Sequence, residues 1–237
     1  MIGAIYYTDL NWDLSLIKIC QEQLSKSFSG EIVSVSLKPI DFGRNIVLEN
    51  VERGFVTMFR QIIIALENST ADYVFFCEHD VLYPESHFDF IPPRDDVFYY
   101  NHNVWRWWFG HPTAIRYDGL SSLSGMCANR QLALDNYRIK MKKIEEADPK
   151  LLCGREPRLG RTLGYEPGGR RWRKGTRTKT GCSNWRSTYP IVDIRHQGTF
   201  SLAKVRLDQF NQQPTGWEEM EITKIPGWNL RGMFNLP

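Results

Sequence analysis

The feature that most constrains the fold is the alternation of strand and helix patterns along the first 80 residues. Residues 2–7 form a short apolar run, as a buried strand does, and residues 32–37 alternate apolar side chains with serine, which predicts a half-buried strand. Between them, apolar residues recur at helical spacing, at Ile17, Cys20, Leu24 and Phe28. A second helix is predicted over residues 55–68 and an apolar strand over residues 73–77. This β-α-β-α-β order predicts an α/β fold with a mainly parallel sheet and helices on both faces.

The second half of the chain has weaker patterns. Residues 97–100 and 190–196 have the composition of strands, and residues 130–146 place apolar side chains on one helical face. Residues 164–187 are rich in glycine, arginine and threonine, which predicts a long loop. A length of 237 residues with 42% hydrophobic residues suits one core, so we expect a single domain over residues 1–237.

Cysteine usage, hydropathy and charge bound the setting. The five cysteines show no CxxC pair, and an odd number cannot form a full disulfide framework, which favours a reduced, cytoplasmic setting. No apolar run approaches the roughly 18 residues of a transmembrane helix, so we expect no membrane span. The net charge is only +3, yet ten Lys or Arg and two Glu lie between Arg155 and Arg186. The positive charge is therefore concentrated in one segment.

The ends of the predicted strands are the first place to look for a site, because open α/β sheets bind ligands at the carboxyl ends of their strands. The segment after the first strand, Thr8-Asp9-Leu10-Asn11, contains no glycine, and no GxxxxGK[ST] pattern occurs in the chain. Nicotinamide-dependent dehydrogenases and P-loop NTPases are therefore disfavoured.

An acidic tripeptide, Glu78-His79-Asp80, directly follows the apolar strand at residues 73–77. In an extended chain residues two apart point the same way, so Glu78 and Asp80 present two carboxylates on one side and His79 faces the other. Such oxygen ligands suit Mg²⁺ or Mn²⁺, which also bind substrate phosphates. The alternative is that Asp80 caps a short helix and Glu78 is a solvated strand end. His196, after the last predicted strand, would complete the metal site if the fold brings it close.

Together these segments resemble the GT-A nucleotide-sugar glycosyltransferases, in particular the bacterial and phage members akin to family 2. The resemblance covers residues 2–201: Phe59-Arg60-Gln61 on a helix precedes the apolar strand, and Glu78-His79-Asp80 stands where the family has a DxD-like metal motif. The motif is a variant, since its first carboxylate is Glu and its middle residue is His.

The resemblance implies a Rossmann-like GT-A fold, a Mn²⁺ or Mg²⁺ cofactor held by Asp80 and His196, and a nucleotide diphosphate sugar as donor. By the same resemblance Arg60 would bind the nucleotide, and Glu78 the donor ribose or a metal-bound water. The full set of candidate donor-binding residues is Thr8, Asp9, Asp41, Arg60, Gln61 and Glu78. Residues 1–100 would form the donor-binding half, residues 101–200 the acceptor-binding half and residues 201–237 a C-terminal segment.

A catalytic base is also implied by the resemblance. Residues 155–164 are similar to a shortened form of the family pattern of an acidic residue followed by L-G-x-R-x-x-x-G, with Glu156 where the catalytic Asp stands. Glu166 is a competing candidate. Both glutamates could instead be salt-bridge partners of the nearby arginines.

Acceptor-binding residues are expected in the second half of the chain. Gly125 lies in a small-residue segment and would permit close approach of donor or acceptor, and a tight turn is equally compatible. Trp105 and Trp107 would either stack on a sugar ring or base or fill the core. The basic segment at residues 155–186 suits a loop that closes over the diphosphate, a grip on DNA, or a solvated surface.

The sequence therefore predicts a metal-dependent, inverting glycosyltransferase in which Glu156 deprotonates an acceptor hydroxyl. The acceptor is a saccharide by default, and a hydroxymethylated base in DNA is the leading alternative. A nucleic-acid-binding protein without catalysis is the rival from another class. A metal-dependent hydrolase is disfavoured because the sequence has no HExxH motif and no clustered histidines.

Overall fold

The structure is a computed structural model that describes residues 1–116, 119–153, 158–163, 167, 181–200, 204–212 and 215–236, without the side chains of residues 161 and 162. The strands in these ranges are β1 Ile2–Thr8, β2 Glu31–Ser36, β3 Arg44–Val47, β4 Tyr73–Glu78, β5 Val81–Leu82, β6 Val97–Asn101, β7 Val104–Trp108, β8 Thr113–Arg116, β9 Met126–Asn129, β10 Gly181–Trp185, β11 Ile191–Arg195 and β12 Glu218–Glu221. The helices are α1 Leu14–Ser27, α2 Phe55–Asn68, α3 Glu85–Phe88, α4 Arg130–Glu145, α5 Arg158–Leu163 and α6 Leu230–Met233.

The larger sheet has seven strands in the order β10-β6-β9-β4-β1-β2-β3. Only β9 runs antiparallel to its neighbours, and the other four strand pairs are parallel. The α/β fold with a mainly parallel sheet is therefore confirmed, together with the predicted strands of the first half and the three predicted helices α1, α2 and α4.

Helices cover both faces of this sheet. On one face α2 and α4 pack against the odd-numbered side chains of β1, with Phe59 and Tyr137 in the same buried cluster as Ile5. On the other face Leu24 of α1 packs with Tyr6 and the neighbouring strand residues. The alternation of side chains along β1 thus divides two apolar cores between two sets of helices.

The prediction that β2 is half-buried is wrong. Ser34 and Ser36 are both fully buried, because β2 lies between β1 and β3 with both of its faces covered. Their hydroxyls donate to the backbone carbonyls of Phe42 at 2.6 Å and Lys38 at 2.7 Å, so neither polar group lacks a partner.

A second sheet has the order β12-β8-β7-β11-β5, and of its strands the sequence predicted only β11, within residues 190–196. The other strands are two to five residues long, too short for a clear periodic pattern. The two sheets share a core, because Val81, Val104 and Ile191 of the second sheet join the cluster that contains Tyr6 and Phe75 of the first.

The predicted loop at residues 164–187 is also incorrect at its end. Residues 181–185 form β10, which pairs in parallel with β6 at the edge of the larger sheet.

None of the helices in the described part of the chain combines the length and the apolar character needed to cross a bilayer.

The strand order places a switch point between β1 and β4. From β1 the chain passes through α1 to β2, and it returns from β3 through α2 to β4 on the opposite side of β1. Such a point opens a crevice at the carboxyl ends of the two strands, where α/β proteins bind ligands. Residues 79 and 80 form the turn that leaves β4 here and enters β5 of the second sheet.

Candidate metal centre

Three side chains with metal-binding atoms converge at this crevice. His79, Asp80 and His196 each offer one ligand atom within 4.8 Å of the others. The Nε2 atom of His196 lies 3.5 Å from Oδ2 of Asp80. The pairing of β11 with β5 explains why residues so distant in sequence meet, since the Ile194 amide donates to the Asp80 carbonyl at 2.8 Å.

The position of His79 corrects a sequence expectation. Strand alternation would turn His79 away from Asp80, but the strand ends at Glu78 and residues 79 and 80 form a turn. The imidazole of His79 therefore lies on the same side as Asp80, and its ring centroid is 6.0 Å from that of His196. The alternative that Asp80 caps a helix is excluded, because β5 follows it.

The polar atoms of this cluster are consistent with a bound cation. The Nε2 atoms of His79 and His196 are buried and have no hydrogen-bond partner among the described residues. A buried nitrogen without a partner is costly, so it calls for a ligand. Two imidazoles and one carboxylate are ligands of divalent transition metals, and three protein ligands leave coordination positions open for a substrate. The residues therefore fit a metal ion.

Charge in the crevice favours an ionised Asp80. Burial raises the pKa of Asp80, but the imidazoles of His79 and His196 and the Arg195 guanidinium outweigh it and lower the pKa below its ordinary value. Burial and the neighbouring Asp80 charge raise the pKa of Glu78, against the donation of the Tyr7 hydroxyl to Glu78 Oε1 at 2.7 Å. The surroundings thus move the pKa values of the two carboxylates in opposite directions, and Asp80 is the one held as an anion.

Glu78 is only partly exposed and accepts the Tyr7 hydroxyl, so the idea of a solvated strand end is wrong. Its carboxylate does not belong to the three-residue cluster. The structure thus separates Glu78 from the candidate metal ligands, and its expected role toward the donor stays a prediction.

A set of contacts around Gly198 holds His196 in place. The Gly198 amide donates to His196 Nδ1 at 3.1 Å, and its carbonyl accepts from Arg53 Nη2 at 2.8 Å and from Asn11 Nδ2 at 3.2 Å. A Cβ atom at residue 198 would lie 2.2 Å from the Asn11 carbonyl oxygen, so only glycine fits. Trp12 stacks on the His196 ring with centroids 4.6 Å apart.

Asp9 joins the end of β1 to these contacts, which we call the Gly198 clasp (Asp9, Asn11, Arg53 and Gly198). Its Oδ2 accepts from Arg53 Nε at 2.8 Å and its Oδ1 accepts from the Asn11 amide at 3.0 Å. Asp9 Oδ1 is 4.0 Å from His79 Nε2, beyond hydrogen-bond distance. The clasp therefore connects β1, the start of α2 and the turn after β11 around the candidate metal ligands.

A buried ion-pair network lies behind the cluster on the second sheet. Asp193 accepts from Arg106 Nε at 3.0 Å and from Arg195 Nη2 at 2.5 Å. Burial lowers the pKa of the Arg195 guanidinium, but Asp193, Asp80 and Glu78 outweigh it and raise the pKa. The network fixes a positive charge beside the carboxylates of the crevice.

The other candidate donor-binding residues have different surroundings. Gln61 is buried, and its Nε2 donates to the carbonyls of Thr8 at 2.7 Å and Val35 at 3.0 Å, so it ties α2 to β1 and β2. Thr8 is buried, and its Oγ1 accepts from the Leu10 amide at 2.9 Å. Arg60 is exposed on α2.

Asp41 is exposed and lines a groove of about 630 Å³ along α1 rather than the three-residue cluster. Leu14, Ile17 and Phe42 also line this groove. The groove contains none of the three candidate metal ligands, which lie together at the crevice instead.

The candidate acceptor-binding residues are all buried. Trp105 and Trp107 lie in the core of the second sheet with Phe234, and Trp107 Nε1 donates to the His111 carbonyl at 2.7 Å. This is the core-filling alternative, and it leaves neither ring a free face for an acceptor. Gly125 is buried, where a Cβ would lie 3.2 Å from the Asn101 carbonyl oxygen, so packing within the protein accounts for this glycine.

Both candidate bases, Glu156 and Glu166, lie outside the described residues. Sequence reasoning also missed His79, Trp12, Asn11, Arg53 and Gly198. Two signals were available for these residues: a histidine inside the Glu78-His79-Asp80 motif and a glycine two residues after His196.

No protein-family model matches the chain, and no curated protein matches it in sequence. Among solved structures it is similar to the bifunctional IspDF of Campylobacter jejuni (TM-score 0.38, 13% identity, 57% of this chain and 42% of that chain). It is also similar to the glycosyltransferase GlyE of Streptococcus pneumoniae TIGR4 (TM-score 0.37, 12% identity, 62% and 40%) and to the inositol-1-phosphate CTP transferase of T. maritima (TM-score 0.35, 13% identity, 61% and 82%). The chain spans about two fifths of the first two proteins. Similarity this low says nothing of substrates, so the function has to be argued from the site itself.

Proposed function

We propose that the protein is a metal-dependent transferase that takes a sugar from a nucleotide diphosphate donor. One observation carries the proposal: His79, Asp80 and His196 converge at the switch point between β1 and β4. A divalent cation held by three protein ligands has open positions for a diphosphate, and α/β proteins bind ligands at a crevice of this kind.

In this mechanism the chain's own residues hold and orient the donor. Asp80 and His196 would hold the cation, with His79 beside them, and the cation would stabilise the negative charge of the departing diphosphate. Arg195, held by Asp193, contributes a fixed positive charge near Asp80. The Gly198 clasp keeps His196 aligned, and Trp12 covers one face of its ring.

The catalytic base and the acceptor are proposed from the sequence alone. Glu156 is proposed to deprotonate an acceptor hydroxyl for inverting transfer, with Glu166 as its competitor. A saccharide is the proposed acceptor, and a hydroxymethylated base in DNA is the alternative that the basic segment at residues 155–186 favours.

A metal-dependent hydrolase gains support as a second candidate. The sequence disfavoured it for lack of clustered histidines, but the fold brings His79 and His196 together beside Asp80. In a hydrolase of this kind, water would replace the acceptor in the attack on the sugar or phosphate.

One experiment separates the two functions. Nucleotide diphosphate sugars are screened by thermal shift with and without Mn²⁺, since a ligand that binds only the folded state raises apparent stability. The donor that binds is then incubated with candidate acceptors, and products are identified by mass spectrometry. A glycosylated acceptor supports the transferase, whereas free sugar formed at the same rate without acceptor supports the hydrolase. Absence of any Mn²⁺-dependent donor binding contradicts both.

The two candidate bases are tested in the same assay. Glu156→Gln is expected to keep donor and metal binding and to lose transfer by about 100-fold or more, as removal of a general base does. Glu166→Gln is the matched control and should have a milder effect. The reverse outcome would assign the base to Glu166.

A further inference from the structure

We propose that His79 is a metal ligand in its own right, so that the centre selects a divalent ion that accepts imidazole nitrogen more readily than Mg²⁺ does, such as Mn²⁺, Fe²⁺, Co²⁺ or Zn²⁺. The proposal rests on the metal site of the proposed function and specifies its chemistry. It replaces a site of carboxylates and one histidine with a site of two imidazoles and one carboxylate.

The Nε2 atom of the His79 imidazole is buried and has no hydrogen-bond partner in the described ranges, and the side chain is 14% exposed. The nearest carboxylate is Asp9, at 4.0 Å, and both Asp9 oxygens already accept from Arg53 and Asn11. Asp9 therefore does not satisfy His79, whereas a cation shared with Asp80 and His196 would.

Among the described residues, the cluster offers the cation few oxygen ligands. Asp80 supplies the single carboxylate of the three-residue cluster. Glu78 is engaged by the Tyr7 hydroxyl at 2.7 Å, and Asp9 lies outside the cluster. Mg²⁺ prefers an octahedron of oxygen ligands and gives up its water reluctantly, so a site that offers two nitrogens and one oxygen suits it poorly.

The test counts imidazoles directly. Pulsed electron paramagnetic resonance of Mn²⁺ bound to the protein, alone and with a nucleoside diphosphate, should show nitrogen couplings from two imidazoles. His79→Gln and His196→Gln should each leave one. His102→Gln, which removes a histidine outside the cluster, should leave two and serves as the matched control.

Isothermal titration of the unmodified protein gives a measurement that needs no variant. Mn²⁺ is expected to bind at least about 100-fold more tightly than Mg²⁺, and Co²⁺ and Zn²⁺ more tightly than Mn²⁺. Nitrogen coupling from a single imidazole, unchanged Mn²⁺ affinity in His79→Gln, or equal affinity for Mg²⁺ and Mn²⁺ would overturn the inference. Each of these leaves the proposed function standing on Asp80 and His196, whereas no metal binding in any sample overturns both.

Discussion

His87 and His196 are both buried, and the Nε2 atom of each has no hydrogen-bond partner in the part of the chain that the structure describes. Their surroundings differ. His87 is enclosed by the rings of Phe75, Phe88 and Trp185, and its Nδ1 is 3.0 Å from the amide nitrogen of Asn101. His196 faces the Asp80 carboxylate at 3.5 Å, with a second imidazole in the same cluster.

The difference shows that an unsatisfied imidazole does not by itself indicate a metal site. Burial lowers the pKa of His87 to about 3, so this ring stays neutral and acts as an aromatic core residue. At His196 a carboxylate and a second imidazole converge on the free nitrogen, which is the arrangement a cation requires. Variants at the metal cluster, at the Gly198 clasp and at His87 test this difference between the two histidines.

The largest effect is expected from Asp80→Ala, which removes the only carboxylate of the cluster. Mn²⁺ affinity should fall by more than about 100-fold, since even outer-sphere partners are worth 10- to 100-fold. The variant should still fold, because the Asp80 backbone carbonyl still accepts from Ile194. Isothermal titration with Mn²⁺ and thermal unfolding check both expectations, and undiminished Mn²⁺ binding would place the centre elsewhere.

Gly198→Ala should disturb His196 without altering any metal ligand. The new Cβ would meet the Asn11 carbonyl at 2.2 Å and His196 Cε1 at 2.9 Å, so the turn after β11 has to move. We expect Mn²⁺ affinity to fall by about 10- to 100-fold, as for loss of an outer-sphere partner. Gly181→Ala is the matched control, since its nearest contact is an ordinary 3.4 Å. Equal effects of the two variants would show that the clasp does not position His196.

On the other side of the contrast, His87 should make stability depend on pH. Its pKa is about 3 in the folded protein and 6.5 as the ordinary value, so unfolding takes up a proton below pH 6.5. Its contribution is fully present above that pH and is lost as the pH falls. At pH 5 the loss is about 2 kcal/mol, from 1.36 kcal/mol per pKa unit.

Urea unfolding at pH 7.5 and pH 5 measures this loss, and His87→Asn provides the comparison. Asparagine keeps an acceptor near Asn101 but does not titrate, so the variant should lose less stability between the two pH values. Identical pH dependence of variant and parent protein would show that His87 does not control it.

The sequence predicted β1, β4 and α2 correctly because they are long enough for hydrophobic periodicity to decide their type. Of the second sheet it predicted only β11, because strands such as β5, with two residues, carry no period. It described β2 wrongly because serine reads as a surface residue, whereas backbone carbonyls satisfy Ser34 and Ser36 inside the fold.

At the candidate site, the sequence singled out Asp80 and His196, which the structure places together, because polar residues that follow strands are informative in α/β folds. It turned His79 the wrong way because a turn, not a strand, contains residues 79 and 80. The clasp was not predictable, since contacts such as that between Arg53 and Gly198 join residues 145 positions apart. Such long-range polar pairs depend on the assembled topology rather than on any local pattern.

The smallest effect is expected from Arg53→Lys, which retains the positive charge of the clasp but loses the planar fork. Arg53 Nε and Nη2 bond Asp9 and Gly198 at the same time, and the guanidinium lies 4.5 Å from the ring centre of Phe200. Lysine can keep one of these bonds but not both. The side chain is 40% exposed, and exposed pairs contribute little, so we expect Mn²⁺ affinity to fall less than about fivefold.

The matched control is Arg94→Lys, because Arg94 makes the same kind of forked contact with Asp96 at an exposed position outside the cluster. That variant should bind Mn²⁺ as the parent protein does, in titrations run side by side. If Arg53→Lys weakens Mn²⁺ binding as much as Gly198→Ala does, the guanidinium rather than the shape of the turn would hold His196 in place. If Arg53→Lys binds Mn²⁺ as tightly as Arg94→Lys does, Asn11 and the Gly198 backbone are enough to hold His196 in place. Arg53 would then serve only to join β1 to α2.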